Sequence, residues 1–189
     1  MKKEVNDILL LGLLFFSIFF TLFVFAFTSS PGNHNFSNGI NHGDRWCVQV
    51  TKVDGTKLPA YCGQNTYTNA GMNATRDLLG AGSGSAGFKY IALGNGTAPS
   101  VTDTSLNSEI TSGQNSGLAR ALGTYTPLNQ NGNWTISSTF TSSINAQVVN
   151  TTALFNASSG GAELAGFSFT SATLQTNDQI TVNISIWTS

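Results

Sequence analysis

Charge is scarce in this chain. Only 9% of its 189 residues are Asp, Glu, Lys or Arg, the formal net charge is −1, and the basic residues never cluster. Without a basic run or stripe there is no electrostatic footprint for a phosphate backbone, which argues against nucleic acid as a partner. Histidine and cysteine are thin too, at two residues each. A zinc site needs two ligands beyond the cysteines and a dithiol redox motif needs C-x-x-C; neither pattern occurs. There is no G-x-S-x-G elbow, neither His34 nor His42 is expected near a strand end, and GSGSAG lacks the lysine of a phosphate-binding loop.

Carboxylates are present outside the N-terminal region as Asp44, Asp54, Asp77, Asp103, Glu109, Glu163 and Asp178. Seven would suffice for a glycosidase pair, but their local settings point elsewhere. Asp54 stands in a turn, Asp77 suits a helix face, and Asp178 belongs to an Asn-Asp turn before the last strand. The chain therefore reads as a non-enzyme with no cofactor. Calcium held by loop oxygens is the one ion this composition leaves open, although no spacing matches a known calcium loop.

What is abundant is unevenly spread. Seven of the thirteen phenylalanines precede position 28. Residues 8–27, ILLLGLLFFSIFFTLFVFAF, hold no charge and are long enough to cross a hydrocarbon core of about 30 Å as a helix. Lys2 and Lys3 precede this run and no Lys or Arg follows it until Arg45, so the charge bias places the N-terminus in the cytoplasm and the remainder outside. A cleaved signal peptide is the competing reading, and a pilin-type signal cut before the apolar run is a third; all three export the rest of the chain. The expectation is a membrane-anchored protein with an extracellular C-terminal domain on a cell or virion surface, or a secreted one if 1–28 are removed.

Export gives meaning to seven N-x-S/T triplets, at Asn35, Asn73, Asn95, Asn133, Asn150, Asn156 and Asn183. They are candidate glycosylation sites, although a chain rich in Asn, Ser and Thr also makes such triplets by chance.

Both cysteines fall in CVQVTKVDGTKLPAYC, around Asp54-Gly55. Asp-Gly between alternating residues signals a hairpin with a two-residue type I′ turn. Residues then pair when their numbers sum to 109, which sets Cys47 opposite Cys62. Counted from Val53–Thr56 this is a hydrogen-bonded pair with Cα atoms about 5.5 Å apart, within disulfide range. Pro59 faces Val50 in a non-hydrogen-bonded position. The expectation is a disulfide staple.

The rest of the chain is organised as a tether and a domain. Residues 28–44, TSSPGNHNFSNGINHGD, are turn formers and read as a flexible linker between the apolar segment 1–27 and the stapled hairpin 45–67. Over 68–189 one short helix is expected in TNAGMNATRDLLGAG, capped by Asn69, with Met72, Leu78 and Leu79 at helical spacing and Gly80 as its stop. FKYIALG, NWTISSTF, AQVVNTTALF, GFSFTSATL and QITVNISIW then alternate apolar and polar residues at strand length. In the last of these Ile180, Val182, Ile184 and Ile186 share one face, and Asn183 the other. The segment 102–113 is either a short helix or a loop. The fold class is all-β, an antiparallel β-sandwich with one short helix, preceded by a single N-terminal transmembrane helix.

The order TNAGMNATRDLLG, FKYIALGNGTAPSVTDTSLNSEI, NWTISSTF, ALFNASSGGAELAGFSF and LQTNDQITVNIS resembles small β-rich structural proteins, of tail or appendage type, of tailed phages and of archaeal viruses and proviruses. The resemblance covers 68–189. It rests most on Gly94-Asn95-Gly96-Thr97, on T-D-T-x-L at 102–106, and on Leu154-Phe155-Asn156 leading to Ser159-Gly160-Gly161. It implies a β-rich structural module with no catalytic residues to carry over. The apolar segment, the tether and the stapled hairpin are departures from that pattern. Two functions follow as expectations. One is a structural subunit that associates with copies of itself. The other is an adhesin-like module whose aromatic residues Trp134, Trp187, Tyr61, Tyr67 and Tyr125 stack on the glycans of a partner surface.

Overall fold

A computed structural model of the chain describes residues 42–81, 86–128 and 133–188. The apolar run 8–27, the tether up to residue 41 and Asn35 lie outside the described residues. Within them no helix is long and apolar enough to cross a membrane.

Among the described residues ten strands form two five-stranded antiparallel sheets. Sheet 1 contains β2 (Tyr61–Gly63), β1 (His42–Thr51), β10 (Gln179–Thr188), β7 (Trp134–Thr141) and β6 (Thr124–Pro127), in that spatial order. Sheet 2 contains β3 (Thr66–Tyr67), β9 (Glu163–Leu174), β8 (Gln147–Phe155), β4 (Tyr90–Gly94) and β5 (Ala121–Leu122). The period-two patterns explain how the sheets close on each other. Ile180, Val182, Ile184 and Ile186 are all buried, with Trp46, Val48 and Val50 of β1 beside them and Ile136 and Phe140 of β7 beyond. Ile91, Leu93, Val149, Leu154, Phe167 and Leu174 of sheet 2 complete the same core. The all-β sandwich expected from alternation is therefore the fold. Sheet 2 is also covered on its outer side, where Ala92, Ala153 and Phe155 meet Leu106 of the 102–113 segment. That segment is irregular, fastened by the Gly94–Glu109 bridge and by Ile110 N–H donating to Leu93 O at 2.8 Å.

Both sides of the sandwich are closed by segments that change sheets. Residues 61–67 pair with β1 in sheet 1 and then with β9 in sheet 2. Residues 121–127 pair with β4 in sheet 2 and, past Gly123, with β7 in sheet 1. Strands that switch sheets in this way make the corners of closed sandwiches. The hairpin 45–67 is consequently no separate module. β1 pairs with β10 along its whole length, from His42–Thr188 to Thr51–Gln179, and residues 42–44, expected in the linker, belong to that strand.

The hairpin register differs from expectation in an instructive way. Lys52 N–H donates to Thr56 O, Gly55 N–H donates to Lys52 O, and Gly55 has φ +86°. The loop is thus three residues, 53–55, with glycine in the left-handed position, instead of a two-residue type I′ turn. Near the turn residues pair to a sum of 108, with Thr51 bridged to Lys57 and Leu58 N–H donating to Val50 O. At the far end Trp46–Gly63, Cys47–Cys62 and Val48–Tyr61 sum to 109. One additional residue at Pro59-Ala60, where the strand is interrupted, makes up the difference, so Pro59 does not face Val50. Because Val50 and Lys52 turn their backbone polar groups toward the returning strand, Cys47 turns its own toward β10. The cysteines therefore form a narrow, non-hydrogen-bonded pair, with Cα atoms 4.1 Å apart where 5.5 Å was expected. The Cys47–Cys62 disulfide is present, on the outer face of sheet 1.

Helix α1 (Asn69–Arg76) is present, followed by one π turn, Asp77–Ala81, that runs through Gly80. Its N-cap is Thr68, whose Oγ1 accepts from Gly71 N–H at 2.9 Å, and not Asn69. The helix rests on sheet 2 through Gly71, where a Cβ would lie 2.4 Å from Leu164 Cα, so only glycine allows the approach. Met72, Leu78 and Leu79 are left exposed.

Cys47→Ser is expected to lower stability by about 2–4 kcal/mol under oxidising conditions, in line with the loop its bridge closes. Urea unfolding of oxidised and reduced protein checks this: the two should differ in the wild type and coincide in the variant.

Candidate functional site

Sheet 1 presents a recess on its outer face at the end where β1 begins. Gly43 pairs across the strands with Trp187, and the indole fills the space a side chain on residue 43 would need: a Cβ there would lie 1.9 Å from Nε1. Arg45, two residues along the same face, flanks it. Cys62, Gly63 and Gln64 close the other side, and Asp44 forms part of the lining. The recess has a volume of about 300 Å³. Among the described residues no hydrogen bond or ion pair engages the side chains of Arg45 or Gln64. Asp44 is held from beneath. Burial pushes its carboxyl above the usual range, against hydrogen bonds from Trp46, Tyr67 and the Asn65 backbone, and Trp46 Nε1–H donates to Oδ2 at 3.3 Å. Burial and the facing Asp44 push the Tyr67 hydroxyl to about 12.

The remaining carboxylates have mostly structural partners. Asp178, expected only as a turn former, is buried and joins two loops. It accepts from Gln175 N–H at 2.9 Å, from Val53 N–H at 3.0 Å and from Lys52 Nζ at 2.8 Å, so the hairpin tip is clamped to the β9–β10 turn. Burial would raise its pKa, but the hydrogen bonds from Gln175, Lys52 and Val53 and the charge of Lys52 outweigh it and hold the carboxyl below the usual aspartate range. Asp54 has the turn role expected of it, accepting from Thr56 N–H at 2.8 Å. Asp77 ends α1 and pairs with the exposed Arg76. Asp103 accepts from Ser100 N–H. Glu109 grips Arg120 with both oxygens, at 2.8 and 2.6 Å, while the same guanidinium donates to Ala157 O and Gly160 O and lies 3.5 Å from the Phe155 ring centre.

Glu163 is the exception. It is fully buried at the start of β9, and among the described residues neither carboxyl oxygen has a hydrogen-bond partner. Its backbone is engaged from above, since its carbonyl accepts from Thr68 Oγ1 and lies against Gly71. Burial first, then the negative charges of Asp103 and Glu109, push the carboxyl to about 7 against the opposing charge of Arg120. Sequence reasoning missed this group. A lone Glu within the small-residue run GGAELAGF, entering a strand buried on both faces, was the available signal.

The candidate glycosylation sites separate by environment. Asn73, Asn95 and Asn183 are exposed, and Asn183 stands outward beside Cys47 as its register requires. Asn133 is half-buried. Asn150 donates its amide to Gly96 O at 3.1 Å, and Asn156 accepts from Ala162 N–H at 2.8 Å, so both side chains already have a structural use. Among the described residues no group of three His, Cys, Asp or Glu side chains is placed to hold a metal ion. Compared with known protein families, curated proteins and solved structures, the chain shows no match.

Two carboxyls give opposite pH dependences. Between the ordinary glutamate value of 4.5 and about 7 the folded protein holds a proton at Glu163 that the unfolded chain has lost, so this contribution falls as pH rises through that window. Glu163→Gln should match wild type near pH 5 and exceed it at pH 8, by on the order of 1–3 kcal/mol. Asp178, with its folded value depressed, contributes stability above the ordinary aspartate range and loses it as pH falls through the folded value. Asp178→Asn should cost about 1.5–3 kcal/mol at neutral pH and less in acid. Denaturant unfolding from pH 3 to pH 9 reads both.

Proposed function

We propose that the chain is a non-enzymatic structural subunit of a cell or virion surface, a β-sandwich carried outside the membrane on an N-terminal anchor and packed against copies of itself. The observation that carries this reading is the exposed apolar side of α1 and its π turn. Met72, Leu78 and Leu79 are 55%, 40% and 79% exposed, close together in sequence on a domain with very little charge. Large apolar groups gathered in this way mark contact surfaces. Contact through faces is favoured, because most of the strand edges are blunted. β2, β3, β5 and β6 are two to four residues long. Beyond Gly166 the outer edge of β9 is unpaired among the described residues, and it is broken by a bulge in which Asn150 of β8 faces residues 169–171, with Lys52 Nζ reaching Thr173 O at 3.2 Å. A bulge and an edge lysine are devices that prevent strand addition.

The disulfide supports the extracellular part of the reading, since such bridges persist in oxidising compartments. The motif order over 68–189 adds its resemblance to viral structural modules. Exposed Asn95 and Asn183 are the asparagines that this reading assigns to glycans, whereas Asn73 lies on the contact helix next to Met72.

Imaging and native mass measurement of the purified full chain test the proposal. Filaments, arrays or defined oligomers are expected, and Leu78→Ser combined with Leu79→Ser should dissociate them without lowering the unfolding midpoint. A wild-type protein that stays monomeric at every concentration, or assemblies indifferent to the double substitution, would overturn it.

A further inference from the structure

The recess beside Trp187 has features that a purely structural role for that side chain leaves unused. Filling the space above Gly43 occupies one side of the indole, yet Trp187 remains 39% exposed. Around it Arg45 and Gln64 offer donors and an acceptor that nothing among the described residues engages. An aromatic surface rimmed by unpaired polar groups suits a ligand that is apolar on one face and polar at its edge. A pyranose ring has that character, with axial C–H groups on its face and equatorial hydroxyls around it.

We propose that this recess binds a single pyranose residue of a glycan, stacked on Trp187, with its hydroxyls or carboxylate held by Arg45 and Gln64. The volume of about 300 Å³ accommodates one sugar ring with its substituents. The guanidinium of Arg45 favours a sugar bearing a carboxylate over its neutral counterpart, because a charge-assisted, bidentate pair is stronger than a hydrogen bond to a hydroxyl. The staple has a part here. Cys62 lines the recess, and its bond to Cys47 fixes the short edge strand that presents Gln64 two residues later on the same side. The site lies on the outer face of sheet 1, whereas the apolar surface of α1 belongs to the helix packed on sheet 2. The inference goes beyond the assembly reading and does not depend on it.

The test uses the full chain in a detergent without a sugar headgroup, titrated with D-glucuronate, D-glucose, D-galactose and N-acetyl-D-glucosamine. Saturation-transfer NMR on the sugar and tryptophan fluorescence report binding. Glucuronate is expected to bind most tightly, with saturation concentrated on its axial C–H protons. Trp187→Ala and Arg45→Ala should each weaken it about tenfold or more, Trp187→Phe should retain most of it, and reduction of the disulfide should weaken it in the wild type. The phenylalanine variant guards against loss of folding, since it still covers Gly43. Absence of saturation for all four sugars, or binding that survives Trp187→Ala in a folded protein, would overturn the site whether or not the chain assembles.

Discussion

The constraint from which the rest of this structure follows is that a β-sheet must do something with its edges. Unpaired backbone N–H and C=O groups invite another strand, and a charge-poor chain has little repulsion with which to refuse one. Here the segments 61–67 and 121–127 each serve both sheets, so four of the strands that terminate the sheets are the two ends of two short connections. The open stretch along β9 is bulged and guarded by Lys52, and the stretches of β1 and β7 that extend past β2 and β6 are about four residues long. Closure directs any association toward side-chain surfaces, which gives the exposed Met72, Leu78 and Leu79 their significance.

Scarcity of charge gives each buried ionic group a definite task. Asp178 and Lys52 tie the hairpin tip to the turn that starts β10, and Arg120 and Glu109 tie the 102–113 segment to the loop after β8. Both ties join pieces of backbone without regular pairing, where hydrogen bonds to a charged group are worth more than neutral ones. Glu163 has the opposite character. It lies where α1, β9 and the loop around Pro99 converge, and among the described residues no hydrogen bond compensates its burial. The corner under α1 therefore loses stability as pH rises through the Glu163 window.

The sandwich was legible because a face buried along a strand imposes period two, and QITVNISIW carries that period without interruption. All four of its inward isoleucine and valine positions are buried. The disulfide was legible for a less direct reason. The sum of 109 holds at Cys47–Cys62, although the loop has one residue more than the Asp-Gly signal implies, because the interruption at Pro59-Ala60 compensates. Local turn chemistry alone did not contain that compensation. It lies in the returning strand, at Pro59, which has no N–H to give the ladder. The helix was legible but its packing was not. Met72, Leu78 and Leu79 recur at helical spacing, yet the side that packs on the sheet is decided by which residue lets two backbones touch, and that residue is Gly71. An apolar moment cannot reveal a contact made by the absence of a side chain. Within the proposed sugar site, Trp187 was legible as an outward aromatic. Arg45 and Gln64 were not, because only the cross-strand register and the sheet change at 61–67 bring them to it.

The position of the disulfide sharpens what it does. A bridge inside the core would substitute for hydrophobic contacts that this domain already has in Trp46, Val48 and the strands facing them. Cys47 and Cys62 instead lie outside, across a pair whose second strand is three residues long and interrupted just before by Pro59. So short a strand has too few backbone hydrogen bonds to hold its own register. The covalent bond supplies that register, and the same three residues begin the connection that closes one side of the sandwich and shapes the recess beside Trp187. The staple thus acts on geometry at an edge, where backbone pairing is weakest and where both the closure and the outer surface depend on it.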